Sequence, residues 1–385
     1  MQKKRNLKIY SALCLALVML LTLIASACTP KPESGTPSTP DTTPASTPES
    51  AVEPVEFIFA ANDPEDSVVG DAYHWWAEEL NIRTDGAVAI KFYWNNSLAI
   101  MPEMLEAVTG GVADIGNITT PFFNTVFPLH ANLDSLVLFN DRPLARLKTN
   151  EALDEAFPEA ASEWENAGIK RLNSWGNANY HVSCTKPIRT LDDFKGRKIR
   201  ATGATYPVIV KAAGAVAVGF SHAELYDALM KGTVDGSFTD YDLMFRFKEA
   251  EITPYVTRLF IGSTPMLSTA MNLETWNNLS PDIQQVFLDL RDEYPDKFAE
   301  FVSKQFTEVS IPSLTEQGIE IIDLPSAELT ELQTNPDILA LRDGWVDWVI
   351  ERSPELPKEK VEEIKQFYLT RLEEFGEQYP DTLEP

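Results

Sequence analysis

The stretch VAVGFSHAELYDALMKGTVDGSFT, residues 216–239, decides the fold. Its first five residues, with Val216, Val218 and Phe220 on one side, read as a strand. Ser221, His222, Ala223 and Glu224 then spell a capping box. The Ser221 hydroxyl accepts from the backbone N–H of Glu224, and the Glu224 carboxylate reaches back to the cap. Leu225, Ala228 and Leu229 give a helix its apolar face, Gly232 ends it, and 234–239 reads as a second strand. Strand, short helix and strand at this spacing predict a βαβ unit, and so an α/β fold with parallel strands.

The same alternation extends outward. Residues 55–61 read as a strand. Val69, Tyr73, Trp76, Ala77 and Leu80 keep helical spacing up to Gly86, and Val88, Ile90 and Phe92 alternate as a strand. A helix over 101–108 ends at Gly110-Gly111, and VADIG, 112–116, reads as a buried strand. Further strands are expected at 169–174 and 197–201. Ser280-Pro281, a cap followed by proline at the first helical position, opens a long helix expected to reach about 307 with a kink near Pro295. Residues 337–379 read as charged helices, and those near Trp345, Trp348 and Ile350 are expected to cover one lobe. From Val55 onward the chain is long enough for two lobes with separate cores.

The N-terminus reads as an export signal. Lys3, Lys4, Arg5 and Lys8 precede an apolar run over 9–25, and Ala25-Ser26-Ala27-Cys28 follows with no stop-transfer flank. The cysteine resembles that of the bacterial lipoprotein lipobox, although Ala25 stands where leucine is more usual. The expected processing removes residues 1–27, lipidates Cys28 and leaves 28–54, rich in Pro, Ser and Thr, as a membrane tether. Cys184 is then the one other cysteine of the mature chain. No intramolecular disulfide is possible, and its place in YHVSCT suits a small buried hydrophobe. The chain holds 58 acidic and 32 basic residues. Removing a leader with four basic and no acidic residues takes the formal charge from −26 to −30. That balance argues against nucleic acid as a partner, because its binding needs basic patches.

Against this background Lys195, Arg197, Lys198 and Arg200 cluster in KGRKIRATG, 195–203. On a strand Lys198 and Arg200 share one side, Arg197 and Ile199 the other. The surrounding KPIRTLDDFKGRKIRATG (186–203), AAGAVAVGFSHAELYDALMKGTVDG (212–236) and LSPDIQQVF (279–287) occur in that order. With RTDGAVAIKFYWNNSL (83–98) and GGVADIGNITTPF (110–122), they closely resemble the solute-binding proteins of TRAP transporters, of the dicarboxylate-binding type. The likeness spans about 55–305, and 186–236 is its specific part.

The resemblance implies a two-lobed α/β clamshell like the periplasmic binding proteins, with a long helix spanning both lobes and extra C-terminal helices. Lobe one would be 55–177 with 265–305, and lobe two 178–264 with 306–385. It implies a receptor without cofactor that closes on a small organic acid and docks on membrane permease subunits driven by an ion gradient. Arg200 matches the family arginine that clamps the ligand carboxylate, a task for which the planar fork of a guanidinium is suited. Lys195, Arg197 and Lys198 are expected to be solvated.

Further cleft positions carry over one at a time. Phe220 and His222 sit at a strand end and helix start, where parallel sheets place ligands. Thr239, Tyr241 and Asp242 follow VDG at a second strand end. Thr119, Thr120 and Phe122 follow ADIGN, and Trp175 walls the pocket. Tyr180, between Asn179 and His181, stands where sialic-acid-binding members carry a second arginine, and Thr239 where they carry asparagine. Thr119 and Ile100 lie where polyhydroxyl-reading acids are expected. These departures point to one clamped carboxylate on a less polar body: a small monocarboxylate, a keto or hydroxy acid, or an aromatic acid. Asp240 and Asp242 could hold a hard cation, but a helix cap is the favoured role for Asp240. An enzyme is disfavoured. The histidines, His74, His130, His181 and His222, form no HExxH, and there is no G-x-S-x-G elbow or metal-spaced cysteine set. A receptor serving a membrane sensor kinase instead of a permease remains the open alternative.

Overall fold

A computed structural model of the chain describes residues 54–380, apart from 141, 177, 221 and 263–266. The export signal, Cys28 and residues 28–53 of the tether lie outside the described residues, as does Ser221 of the expected capping box.

Two mixed sheets organise the chain. The first contains β1 (Val55–Ala60), β2 (Val88–Tyr93), β3 (Ile115–Thr119), β4 (Ile169–Trp175) and β10 (Leu267–Asn272), in the order β2-β1-β3-β10-β4. β1 is parallel to β2 and β3, and β10 runs antiparallel between β3 and β4. The second sheet contains β5 (His181–Cys184), β6 (Lys198–Arg200), β7 (Val216–Val218), β8 (Gly236–Thr239), β9 (Tyr255–Arg258) and β11 (Glu320–Asp323), in the order β11-β9-β5-β8-β6-β7. β6 lies between β7 and β8 and is parallel to both, so the two strands of the 216–239 stretch run parallel as expected but are not neighbours.

Strand limits differ from the sequence reading where side chains take over backbone pairing. The strand expected at 112–116 lies at 115–119. Asp114 precedes it as a hinge between strands: its carboxylate accepts the Ile58 N–H at 2.8 Å and its own N–H reaches the Ile58 carbonyl at 2.9 Å. The VDG turn has a similar logic. Asp235 accepts the Lys198 N–H on its carboxylate at 2.8 Å and donates its own N–H to the Lys198 carbonyl at 2.7 Å, fixing β8 against β6. Gly236 is required there, because a Cβ would lie 2.1 Å from the Ser183 carbonyl oxygen of β5.

The helix Val68–Arg83, capped by Ser67, buries Tyr73, Trp76 and Leu80 on the first sheet beside Phe57 and Phe59. The helix Pro281–Lys304 opens on Ser280, whose hydroxyl accepts the Ile283 N–H, and runs through Pro295 with Phe287, Leu290, Tyr294, Phe298 and Val302 buried. It continues through a π-helical turn, Gln305–Ser310, into Ile311–Glu316 and so passes from the first sheet to the second. The π turn was not legible in sequence. None of the described helices is long and apolar enough to cross a membrane.

The C-terminal helices correct one expectation. The resemblance implies that residues 306–385 belong to the second lobe, and Leu324, Leu332 and Ile338 do pack there. Beyond Gly344 the chain returns. Helices Trp345–Arg352 and Lys358–Gln378 bury Trp345, Val349, Val361, Ile364 and Tyr368 in one core with Leu153, Phe157 and Trp164 of the first lobe. The Tyr368 hydroxyl donates to Asn150 Oδ1 at 2.7 Å inside this core. The apolar stripe of Lys358–Gln378 finds its complement on the helix Pro143–Ala156, and Trp345–Arg352 packs in turn on that last helix, Lys358–Gln378.

Candidate ligand-binding site

Arg200 is the last residue of β6 and is buried at 5 % exposure, while Lys198 two positions earlier is exposed. Two neutral acceptors orient its guanidinium. Nε donates to the Phe220 carbonyl at 3.0 Å, and Nη1 lies 3.3 Å from His222 Nε2. Phe220 follows β7, so the parallel β6–β7 pair delivers the acceptor to the arginine. No carboxylate lies within salt-bridge distance of Arg200 among the described residues. Burial lowers its pKa from the ordinary range, opposed by Tyr180 and Glu249 nearby.

The His222 ring stacks on Phe247, with centroids 5.3 Å apart and planes 24° off parallel. Burial holds it well below the usual histidine range, and the charges of Arg200 and Arg246 press the same way. A guanidinium can only donate, so the Nε2 facing Arg200 must be the acceptor nitrogen of a neutral imidazole. Glu249 lies behind, fully buried, with Oε1 3.5 Å from the same Nε2. Thr239 of β8 donates to Oε1 and Ser183 of β5 to Oε2, each at 3.1 Å. Burial raises the Glu249 pKa to about 7, with Thr239, Arg200 and Ser183 holding it down in that order.

Arg200, Phe220, His222 and Thr239 therefore converge on one network, and Tyr180 acts on it electrostatically. Tyr180 sits where the chain crosses between sheets. Its backbone pairs with Ile261 and Gly262, and its ring lies on Tyr206 at 5.3 Å. Tyr241 and Asp242 belong to a joint between the lobes. Tyr241 packs between His181 and Phe306. Asp242 pairs with Arg246 at 2.9 Å, and Arg246 also reaches Asp63 of the first lobe at 3.1 Å. Asp240 caps the helix Tyr241–Arg246 through a 2.7 Å bond from the Leu243 N–H.

On the first lobe Trp175 packs edge-on against Tyr73 and tilted against Phe298. Thr119 is buried with its hydroxyl 3.8 Å from the Met101 sulfur, and Thr120 is enclosed beside the His130 carbonyl. Phe122 is 54 % exposed. Sequence reasoning missed Glu249, Ser183 and Phe247. It also missed a polar set beside Trp175, in which the Tyr73 hydroxyl meets Thr269 Oγ1 at 2.8 Å and accepts from Asn117 at 2.5 Å. Nothing in KEAEIT, 248–253, separates Glu249 from Glu251 beside it.

Comparison with known proteins agrees with this architecture. The family model "bacterial extracellular solute-binding protein, family 7" (DctP) matches residues 59–339. The C4-dicarboxylate-binding periplasmic protein DctP of Rhodobacter capsulatus is 26% identical over 273 residues, 69% of this chain and 79% of that protein. A TRAP periplasmic solute-binding protein of Desulfovibrio salexigens superposes with a TM-score of 0.70 at 23% identity, over 84% of this chain and 96% of that one. DctP7 of Bordetella pertussis, an extracytoplasmic solute receptor binding pyroglutamic acid, superposes at 0.67 with 20% identity, over 83% and 99%. The two-sheet fold is that of the TRAP receptors, which are binding proteins and not enzymes. The chain belongs to the DctP family of bacterial extracellular solute-binding proteins.

Proposed function

We propose that this protein captures a small organic anion through one carboxylate held by Arg200 and delivers it to an ion-gradient-driven TRAP permease. The observation that carries the reading is a buried guanidinium whose neighbours are neutral acceptors and which no carboxylate within salt-bridge distance neutralises among the described residues. Its Nε and Nη1 bonds orient the fork and leave Nη2 to donate outward, together with the remaining hydrogen of Nη1. Arg246, the other arginine acting on His222, is committed to Asp63 and Asp242, which favours a ligand with a single carboxylate. The pyroglutamic acid bound by the Bordetella pertussis relative is such a ligand.

In this reading Tyr180, Phe220, His222 and Thr239 shape the second-lobe wall, and Trp175, Thr119 and Phe122 close it from the first. Tyr241, Asp242 and Thr120 act from behind, holding the joint and the rim. Closure expels water and strengthens the ion pair. Cys28 carries the lipid that retains the receptor at the membrane.

Thermal unfolding of residues 52–385 against a panel of organic acids tests the reading. A ligand at a hundred times its Kd adds about 2.7 kcal/mol to the native state, a rise of several degrees. A shift with one acid that disappears in Arg200→Ala is expected. A full panel without shifts, on protein shown by native mass spectrometry to carry no ligand, overturns the carboxylate assignment.

A further inference from the structure

We propose that Glu249 is a proton-linked positioning residue of this pocket, so that an anionic ligand binds at Arg200 together with a proton taken up on Glu249. The proposal rests on the carboxylate reading above and adds to it a regulation of the site.

The geometry carries it. Glu249 is fully enclosed, and its Oε1 and Arg200 Nη1 approach the same nitrogen, His222 Nε2, at 3.5 and 3.3 Å. Arg200 claims that lone pair. An ionised Glu249 therefore sets an acceptor against an acceptor, whereas a protonated Glu249 has a hydrogen to place in the network. The groups facing Glu249 can be named from each element around it. They are Ser183 on β5, Thr239 on β8, His222 on the turn after β7 and Arg200 at the end of β6. Two are hydroxyls that serve either protonation state, and His222 is held neutral. Among the described residues Arg200 is then the one cation in this shell, and the charge that favours ionised Glu249.

A ligand carboxylate on Arg200 spends that same charge. It neutralises the cation that Glu249 depended on and brings a further negative charge into a buried site. Both effects favour the neutral acid, and the proton comes from solvent. Burial already lifts the ligand-free carboxyl to about 7, so the coupling falls in the range a receptor outside the cytoplasm meets. Affinity should be constant below the ligand-free transition and fall by up to tenfold per pH unit above it, until the transition of the complex is reached.

The test measures Kd by calorimetry between pH 5.5 and 9 for the wild type and Glu249→Gln, using pyroglutamate and then any panel acid that shifts the unfolding midpoint. Proton uptake is read from buffers of different ionisation enthalpy. Wild-type affinity should weaken tenfold or more from pH 7 to pH 9, with net uptake approaching one proton. Glu249→Gln, which fixes a neutral donor at the position, should give a flat profile and no uptake. Carbon-13 titration of labelled glutamate carboxyls, assigned by difference against Glu249→Gln, gives the transition without ligand. A midpoint below 5 overturns the proposal even if the variant misfolds. Binding with a wild-type profile that is flat, or that persists in Glu249→Gln, overturns the coupling and leaves the receptor reading intact. Failure of every acid to bind at any pH overturns both.

Discussion

In the proposed reading, Arg200 concentrates the binding energy in one side chain. Its replacement by alanine should cost roughly 2–5 kcal/mol of ligand affinity, the range for truncating one side of a buried charge pair. Arg200→Lys should recover only part, because an ammonium keeps the charge but not the fork. Calorimetry on both variants checks this, and near-wild-type affinity in the alanine variant refutes the clamp. A second buried cation has a purely structural task. His130 is enclosed, with Nδ1 2.7 Å from Glu163 and Nε2 2.8 Å from Asp154, and its ring lies edge-on to Trp164. Burial alone would lower its pKa, but Asp154 and Glu163 lift it to about 9. The native state therefore binds this proton more tightly than the unfolded chain. The resulting stability is fully present below about pH 6.5 and is lost as pH rises through 9. Urea unfolding should show a decline on the order of 3 kcal/mol between pH 6 and 10, and a shallower one in His130→Gln. A slope unchanged by that substitution would remove His130 as the cause.

At the scale of elements, the 216–239 stretch was legible because its signals are local: alternation, helical spacing and glycine stops. The parallel direction of β7 and β8 follows from it, whereas the insertion of β6 between them does not. Glu249 was not legible, because its importance comes from enclosure by strands distant in sequence, and no pattern in 248–253 records that enclosure. Arg200 lay between these cases: the residue pattern alone left it a surface arginine or a ligand, and the resemblance of its neighbourhood favoured the ligand. Two element-level outcomes are expected. Gly236→Ala drives a Cβ to 2.1 Å from the Ser183 carbonyl, so β5 and β8 must part. Overpacking of this kind costs about 1–3 kcal/mol or more, and the melting temperature should fall by several degrees. Asp240→Ala removes the cap of the helix Tyr241–Arg246 and should cost about 1–2 kcal/mol. A Tm within a degree of wild type in either variant would show that the local geometry relaxes freely.

The molecule as a whole is joined by repeated crossings of the chain: after β4, before β10, along the helix through Gln305–Ser310, and again at Gly344. The last crossing was hidden in sequence, because amphipathic helices reveal that they need a partner without naming it. Across the joint runs the pair Asp63–Arg246, largely enclosed and backed by Asp242. Asp63→Asn keeps the shape and removes the charge. It should loosen the ligand-free molecule, measured as a larger radius of gyration by X-ray scattering. An unchanged scattering curve would assign the joint's stiffness to the apolar packing of Tyr241 on Phe306.

The return of the chain at Gly344 also decides how the molecule carries mechanical load. Val55 opens β1, and the final helix Lys358–Gln378 is bonded to Asn150, so both ends of the folded body are fixed to the same half. Tension applied between them runs through that half and bypasses the other, which hangs on the path as an insertion. In an optical trap with handles at the two ends, the first rupture should release the terminal helices, while the half that holds Arg200 stays folded and shielded from the pull.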